Sequence, residues 1–218
     1  MAELSLTPAG VADAGAFVAR LVRLDPSGVV RLRAAGEARV ALWAQLPFDA
    51  LVTRVVAGSV SVDDVTVAAR ALMTTLRLGR TTLPPRLDER WRWSLPPHGG
   101  EVVEGLPAGT VRQLAAAAER TVRSAGVGGR GERAVRDALL GHVAVVVHPT
   151  VMTSTVERLE IPQRLVQAVV RMGFLRPAAS AEEPPVRVVV AGRYVGLAAE
   201  YGVAWHRLGQ VLGAHPIS

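Results

Sequence analysis

Val30-Arg31-Leu32-Arg33-Ala34, then Arg39-Val40-Ala41-Leu42-Trp43-Ala44-Gln45-Leu46, then Leu51 to Ala57 decide the fold. In the first stretch Val30, Leu32 and Ala34 alternate with Arg31 and Arg33. In the second Val40, Leu42, Ala44 and Leu46 alternate with Arg39, Ala41, Trp43 and Gln45. A period of two puts one set of side chains on a buried sheet face and the other on the opposite face. The joining turns, Ala35-Gly36-Glu37 and Pro47-Phe48-Asp49, are short and favour antiparallel neighbours. Three consecutive antiparallel strands are therefore expected.

Helices are expected on both sides of them. Thr7-Pro8 reads as an N-cap with proline at the first helical position. Val11, Ala14, Val18, Leu21 and Val22 keep helical spacing until the turn Asp25-Pro26-Ser27-Gly28. Downstream, Ser61 with Asp64 resembles a capping box before Val65, Ala69, Leu72, Met73 and Leu76. Asp63 and Asp64 would also suit a helix N-terminus electrostatically. The N-terminal unit is thus predicted as α-β-β-β-α.

From Leu78 to Pro107 the pattern breaks at Pro84-Pro85, Pro96-Pro97 and Gly99-Gly100, with a short strand expected at Arg90-Trp91-Arg92-Trp93. A boundary near residue 97 divides the chain into an N-terminal α+β domain, 1–97, with a Pro/Gly-rich tail, and a C-terminal basic α+β domain, 98–218. In the latter Thr110 is expected to cap a helix with Val111, Leu114, Ala118 and Val122 on one face. Gly126 to Gly131 interrupts it, and a second helix turns Val135 and Leu139 inward. Val143 to His148 forms a strand that returns through Thr155 to Ile161.

Pro162 then opens a helix carrying Leu165, Val166, Val169 and Met172. Gly173 and Phe174 fit a glycine C-cap with an apolar packing residue behind it. A long hairpin from Leu175-Arg176 to Val186–Ala191, a segment Tyr194–Leu197 and a last strand Val203–Arg207 complete the reading. The fold class is α+β, with an antiparallel sheet in the first unit and helices and β-hairpins in the second. Arg54–Gly58 and Val188–Gly192 share Val-Val-Ala-Gly, which is too short to indicate duplication.

The proline-opened helix ending in Gly173-Phe174-Leu175, then Val190-Ala191-Gly192-Arg193-Tyr194, then Tyr201-Gly202 and Trp205, is similar to the end of a group of two-domain actinobacterial proteins with no assigned activity. The resemblance covers about the last sixty residues. It implies two domains and no functional residues.

Composition excludes several chemistries. All 25 basic residues are Arg, and Lys and Cys are absent. That removes Schiff-base and pyridoxal-phosphate chemistry, a P-loop lysine, thiol nucleophiles, thiolate metal sites and disulfides. The +6 net charge is uneven: residues 1–107 hold 12 Arg and 11 acidic residues, and residues 108–218 hold 13 and 8. High-GC coding explains Arg in place of Lys, but not the shortage of acids in the second half. No basic n-region with an apolar core opens the chain, and Val143–Val147 is far short of a spanning helix, so a cytoplasmic protein without membrane association is expected.

Individual clusters have ordinary explanations. Gly126-Val-Gly128-Gly-Arg-Gly131 matches G-x-G-x-x-G but follows an Ala-rich helix rather than a strand, so it reads as an interhelical loop. As a strand, Arg90–Trp93 would put Trp91 and Trp93 on one face and Arg90 and Arg92 on the other. It reads as a cover for a domain junction or as a stacking platform for single-stranded nucleic acid. The helix after Pro162 is expected to expose Gln163, Arg164, Gln167 and Arg171, either as a solvated face or as a reader of base edges. His142 and His148 lie too far apart along a strand to share an ion. His98 with Glu101 and Glu104 is the only local cluster with ligand chemistry. Glu119 and Arg123 make a helical i,i+4 pair.

The sequence therefore points to a non-catalytic cytoplasmic protein that works by binding an unidentified protein partner or a second copy of itself, with no cofactor and no metal. The alternative is nucleic-acid binding through a basic C-terminal face, with Arg164, Gln167, Arg171, Arg90 and Arg92 as candidate contacts. A second alternative is an enzyme with an interdomain site near His98, Glu101 and Glu104.

Overall fold

A computed structural model describes residues 2–125, 130–148, 158–178 and 183–209. In chain order the elements are β1 (Leu4–Leu6), α1 (Pro8–Leu24), β2 (Val29–Ala34), β3 (Arg39–Leu46), β4 (Ala50–Val60), β5 (Asp64–Ala68) and α2 (Ala69–Arg77). They continue with β6 (Glu101–Leu106), α3 (Ala108–Ala125), α4 (Arg130–Gly141), β7 (Val143–Val147), β8 (Leu159–Pro162), α5 (Gln163–Arg171), β9 (Val186–Ala191), β10 (Tyr194–Ala199) and β11 (Gly202–Arg207). The fold is α+β with an antiparallel sheet.

The main sheet runs β5-β2-β3-β4-β11-β10-β9-β6, with β1 added beside the far end of β4 and β7-β8 as a separate pair. This order is palindromic about β4 and β11. On one side α1 precedes three strands, and the edge strand β5 and helix α2 follow them. On the other side the edge strand β6 and helix α3 come first, and α5 precedes the three strands. Each half has three consecutive strands, an edge strand and two helices, in circularly shifted order, and the second half adds α4 and the β7-β8 pair. The halves join where Val203, Ala204 and Trp205 pair with Thr53, Val52 and Leu51.

The helices cover one face. α1 packs on β3 and β4, α5 on β4, β10 and β11, α2 on α1, and α3 and α4 on α5. A single aliphatic core forms beneath them and includes Val30, Leu42, Val52, Val67, Val166, Val188 and Leu197. Thr7 caps α1 by accepting from the Gly10 amide at 3.1 Å, with Pro8 at the first position. At the end of α5, Gly173 adopts φ +62°. The Gly173 amide donates to Val170 O and the Phe174 amide to Val169 O, both at 3.0 Å. This double closure turns Phe174 into the core, where it stacks on Phe17 with ring centroids 6.4 Å apart.

Five expectations change. The segment after Ser61 is a strand before it is a helix: Val65 and Val67 enter the core with period two, and helical spacing begins only at Ala69. β-branched residues on a pleated, half-buried surface outweigh the capping signal. Ser61 instead accepts the Glu3 amide at 2.8 Å. The first unit is therefore β-α-β-β-β-β-α. β6, read as loop, pairs with β9, and a bulge between Val102 and Glu104 breaks its alternation so that only Val103 is buried. α3 begins at Ala108, before Thr110. Arg90–Trp93 is not a strand: Asp88–Arg90 is a 3-10 turn and the chain beyond it is extended without partners. β9 follows Pro185 as expected but pairs with β10 and β6, not with Leu175-Arg176. Most of the glycine loop, residues 126–129, and the return to β8 at 149–157 lie outside the described residues.

Candidate polyanion-binding face and the cavities of the outer sheet

The charge separates by layer. The five described helices contain 12 Arg and 4 acidic residues, a net +8, while everything else contains 13 Arg and 15 acidic residues, a net −2. Helices alternate faces every 3.6 residues, so the residues not spent on the core project outward together. Two adjoining depressions in this layer, of about 300 and 250 Å³, share Glu119 and Arg171. Around them stand Arg20 and Arg23 of α1, Arg123 of α3, Arg136 of α4 and Arg171 of α5, with Glu119 as the one carboxylate among the described residues. Among the described residues Arg23, Arg120 and Arg123 make no ion pair. Arg20 lies over the left-handed Gly173 at the end of α5, where a Cβ would come within 2.6 Å of the guanidinium.

The residues singled out in the sequence do not gather in one place. Arg171 lies in this furrow, donating to Gln167 Oε1 at 3.3 Å, with its guanidinium 5.8 Å from the Phe48 ring. Gln163 and Gln167, expected on a solvated face, are buried. They donate to the α3 carbonyls of Leu114 and Ala115 at 3.2 and 3.0 Å. The small Ala side chains of α3 let its backbone approach α5 closely enough to satisfy both amides. Arg164 turns away to Asp49, 2.9 Å, and to Leu140 O. Arg90 and Arg92 sit on the other side of the sheet, and Arg90 donates to Ser27 O at 2.9 Å.

That other side is covered by the connection from residue 86 to residue 100, which crosses the sheet as a strap. Leu87 bonds to Thr66 of β5, the Tyr194 hydroxyl of β10 donates to Ser94 O at 2.9 Å, and Trp91 and Leu95 pack over Leu51, Trp205 and Trp43. Trp91 and Trp93 do meet, edge to face at 5.4 Å, and the Trp91 indole N–H donates to Trp93 O. Trp205 lies flat on β10 because its cross-strand partner is Gly196: a Cβ there would fall 2.6 Å from the indole. Beside the strap a cavity of about 550 Å³ is lined by Arg92, Trp93, Arg193, Tyr194, Trp205 and Arg207, among others. A smaller one, about 230 Å³, lies beneath Pro96 and Pro97.

Electrostatics on this face are local. Asp64, expected at a helix N-terminus, sits on β5. It accepts from Arg31 Nε at 2.7 Å and Nη2 at 2.6 Å, which raises the Arg31 pKa, and Arg31 also covers the Trp91 ring. Burial opposes ionisation of Asp88, but the Thr66 amide and Arg86 together outweigh it and lower its pKa. On the helix side, burial pushes the His206 imidazole below the usual histidine range and Arg164 of α5 pushes the same way, against the Asp49 backbone and carboxylate. Among the described residues no group of three or more His, Asp or Glu is placed to hold a metal, His98, Glu101 and Glu104 included. No described helix is long and apolar enough to cross a membrane.

One helix layer on one long antiparallel sheet, built from two like halves, is the fold of the sliding clamps. The chain is similar to a DnaN sliding clamp (DNA polymerase III subunit beta) from Bartonella birtlesii bound to griselimycin. That match has 16% identity and a TM-score of 0.57, and covers 99% of this chain and 66% of that one. It is also similar to the Helicobacter pylori beta clamp in complex with carprofen, at 11% identity and TM-score 0.55, covering 95% and 63%. A third match is a putative DNA polymerase III beta subunit from Eubacterium rectale, at 10% and 0.54, covering 96% and 65%. The chain spans about two thirds of the length of these clamps. By sequence it belongs to the family defined by a domain of unknown function, DUF8185, which matches residues 95–211. A second domain of unknown function, DUF8010, matches residues 1–93. No curated protein matches it in sequence.

Proposed function

We propose that this is a non-catalytic cytoplasmic protein that binds nucleic acid through the outer surface of its helix layer. The observation that carries the reading is the separation of charge. All of the molecule's positive excess is on the helices, and among the described residues five Arg from four helices surround one furrow with one Glu. Arg is suited to phosphate oxygens, and a backbone-directed surface needs positive charge spread over a layer rather than a pocket. The clamps that share the fold are by name subunits of a DNA polymerase, which supports duplex DNA as the nucleic acid. Arg171 belongs to this surface. Arg164, Gln167, Arg90 and Arg92 are replaced as contacts by Arg20, Arg23 and Arg123. Edge-to-edge pairing with a second copy is the less supported alternative, because the terminal strand β6 carries Glu101, Glu104 and a bulge, features that discourage it.

The test is fluorescence anisotropy with a labelled duplex over a salt series. Binding should weaken linearly in log affinity against log salt. The fourfold charge reversal Arg20→Glu, Arg23→Glu, Arg123→Glu and Arg171→Glu should abolish it. No binding at low salt, or binding untouched by the reversal, rejects the reading.

A further inference from the structure

The cavity of about 550 Å³ beside the strap is built at one end of the seam between the two halves. On β11, alternation puts Trp205 and Arg207 on the same side of the sheet, and Arg207 pairs across the strands with Tyr194 of β10. Leu51 of β4 pairs with Trp205, and Gln45 of β3 with Leu51, which extends the floor over four strands. The roof is Arg92-Trp93-Ser94 of the strap, held down by the Tyr194 hydroxyl, which donates to Ser94 O at 2.9 Å. Arg193 comes from the two-residue turn between β9 and β10, where Gly192 takes φ +55° and a Cβ would come within 3.2 Å of Pro97. Guanidinium groups from the strap, a hairpin turn and a strand end therefore share one opening.

Charge and exposed surface define the ligand. Among the described residues the side chains of Arg92, Arg193 and Arg207 make no hydrogen bond or ion pair. Asp49 is the one carboxylate lining the cavity among the described residues. It is already held, by Arg164 at 2.9 Å and by the Gln45 amide at 3.2 Å. At the other end of the strap the arginines are paired, Arg31 with Asp64 and Arg86 with Asp88. Like charges around one opening repel one another, and a polyanion relieves that repulsion through charge-assisted hydrogen bonds. Trp93 lines the same opening and is 38% exposed, a large ring left in water. Guanidinium forks suit phosphate oxygens, and an exposed indole suits the flat face of a base. The volume lies within the small-molecule range of about 300–1,000 Å³, which suits one nucleotide.

We propose that this cavity binds a free nucleoside diphosphate, with its base against Trp93 and its phosphates on Arg92, Arg193 and Arg207. The site is on the opposite side of the sheet from the basic helix layer and does not depend on duplex binding there.

The test uses the full chain and ADP at low salt. The four Trp residues give four indole N–H signals in a 1H–15N spectrum, and titration should move that of Trp93 to saturation. This signal reports the cavity and not the helix layer. By calorimetry adenosine, which lacks the phosphates, should bind at least tenfold more weakly than ADP. Inorganic pyrophosphate, which lacks the base, should bind about fivefold more weakly or worse. Arg193→Ala and Arg207→Ala remove exposed side chains without partners, so the melting temperature should hold while ADP weakens about tenfold in each. Trp93→Ala should weaken ADP about fivefold and leave pyrophosphate unchanged, and Trp93→Phe, which keeps a ring, should retain ADP binding. An unmoved Trp93 signal overturns the proposal. So does an ADP affinity unchanged in both Arg variants. Pyrophosphate binding as tightly as ADP overturns the nucleotide assignment, and a single-stranded oligonucleotide that displaces ADP at lower concentration overturns the free nucleotide.

Discussion

The two faces of the same strands are built to different rules. On the helix side Val30, Leu32, Val40, Leu42, Val52 and Val67 are fully buried in one aliphatic core. On the strap side their neighbours Arg31, Arg33, Trp43, Thr53 and Trp205 form ion pairs, aromatic contacts and cavities. On β2, β3 and β4 alternation carries members of both sets, so neither face can shift register without carrying the other with it. The difference separates roles: the helix side holds the sheet together with apolar packing, and the strap side carries the polar and aromatic contacts.

The sharpest way to break this contrast is at the helix side. Phe174→Ala removes a ring that closes α5 and stacks on Phe17, and should cost about 3–5 kcal/mol in chemical denaturation. A loss below about 1 kcal/mol would mean that the core is not shared by the two halves. The next effect is on binding. Single neutralisations of Arg20, Arg23, Arg123 or Arg171 to Ala should each reduce the slope of log affinity against log salt by about one. Each should change folding stability by only about 0.5 kcal/mol. Smaller again is the outer ion pair. Arg31 and Asp64 are each about a third exposed or less, 26% and 32%, and Asp64→Asn should cost about 0.2–1 kcal/mol.

The smallest effect concerns pH. His206 has a lowered pKa when folded, so the unfolded chain takes up its proton first. Its contribution is complete above the unfolded value of about 6.5 and is lost as pH falls below it. His206→Gln should flatten the melting temperature between neutral and mildly acid pH. An unchanged profile would place the acid sensitivity in another group.

Much of the architecture was legible in the sequence because it rests on local rules. The alternation of Val40 to Leu46 located β3, and Gly173-Phe174 located the end of α5. What was not legible depends on partners distant in the chain. Asp64 looked like a helix cap until Arg31, 33 residues earlier, was found to hold it. Gln163 and Gln167 looked solvated because polar residues on a helix usually are. The α3 carbonyls that satisfy them lie about fifty residues upstream. β6 was missed because a bulge removes its period of two. The basic face was half legible. Arg171 and the charge excess pointed to the second half of the chain, but Arg20 and Arg23 of α1 share the furrow and come from the first. A signal existed in the Arg content of each helical segment, counted by element rather than by domain.

The β4–β11 seam has a consequence for how the chain is made. Its three pairs join residues about 150 positions apart, so this contact forms late and adds strongly to contact order. While the second half is still being synthesised, β4 presents Leu51, Val52 and Thr53 along an unpaired edge, and Trp205 is made about 150 residues later. A nascent chain in that condition resembles an open sheet, which is a template for pairing with other chains. The strap is synthesised before β10 and β11, and its anchors Tyr194 and Trp205 are made only about a hundred residues later.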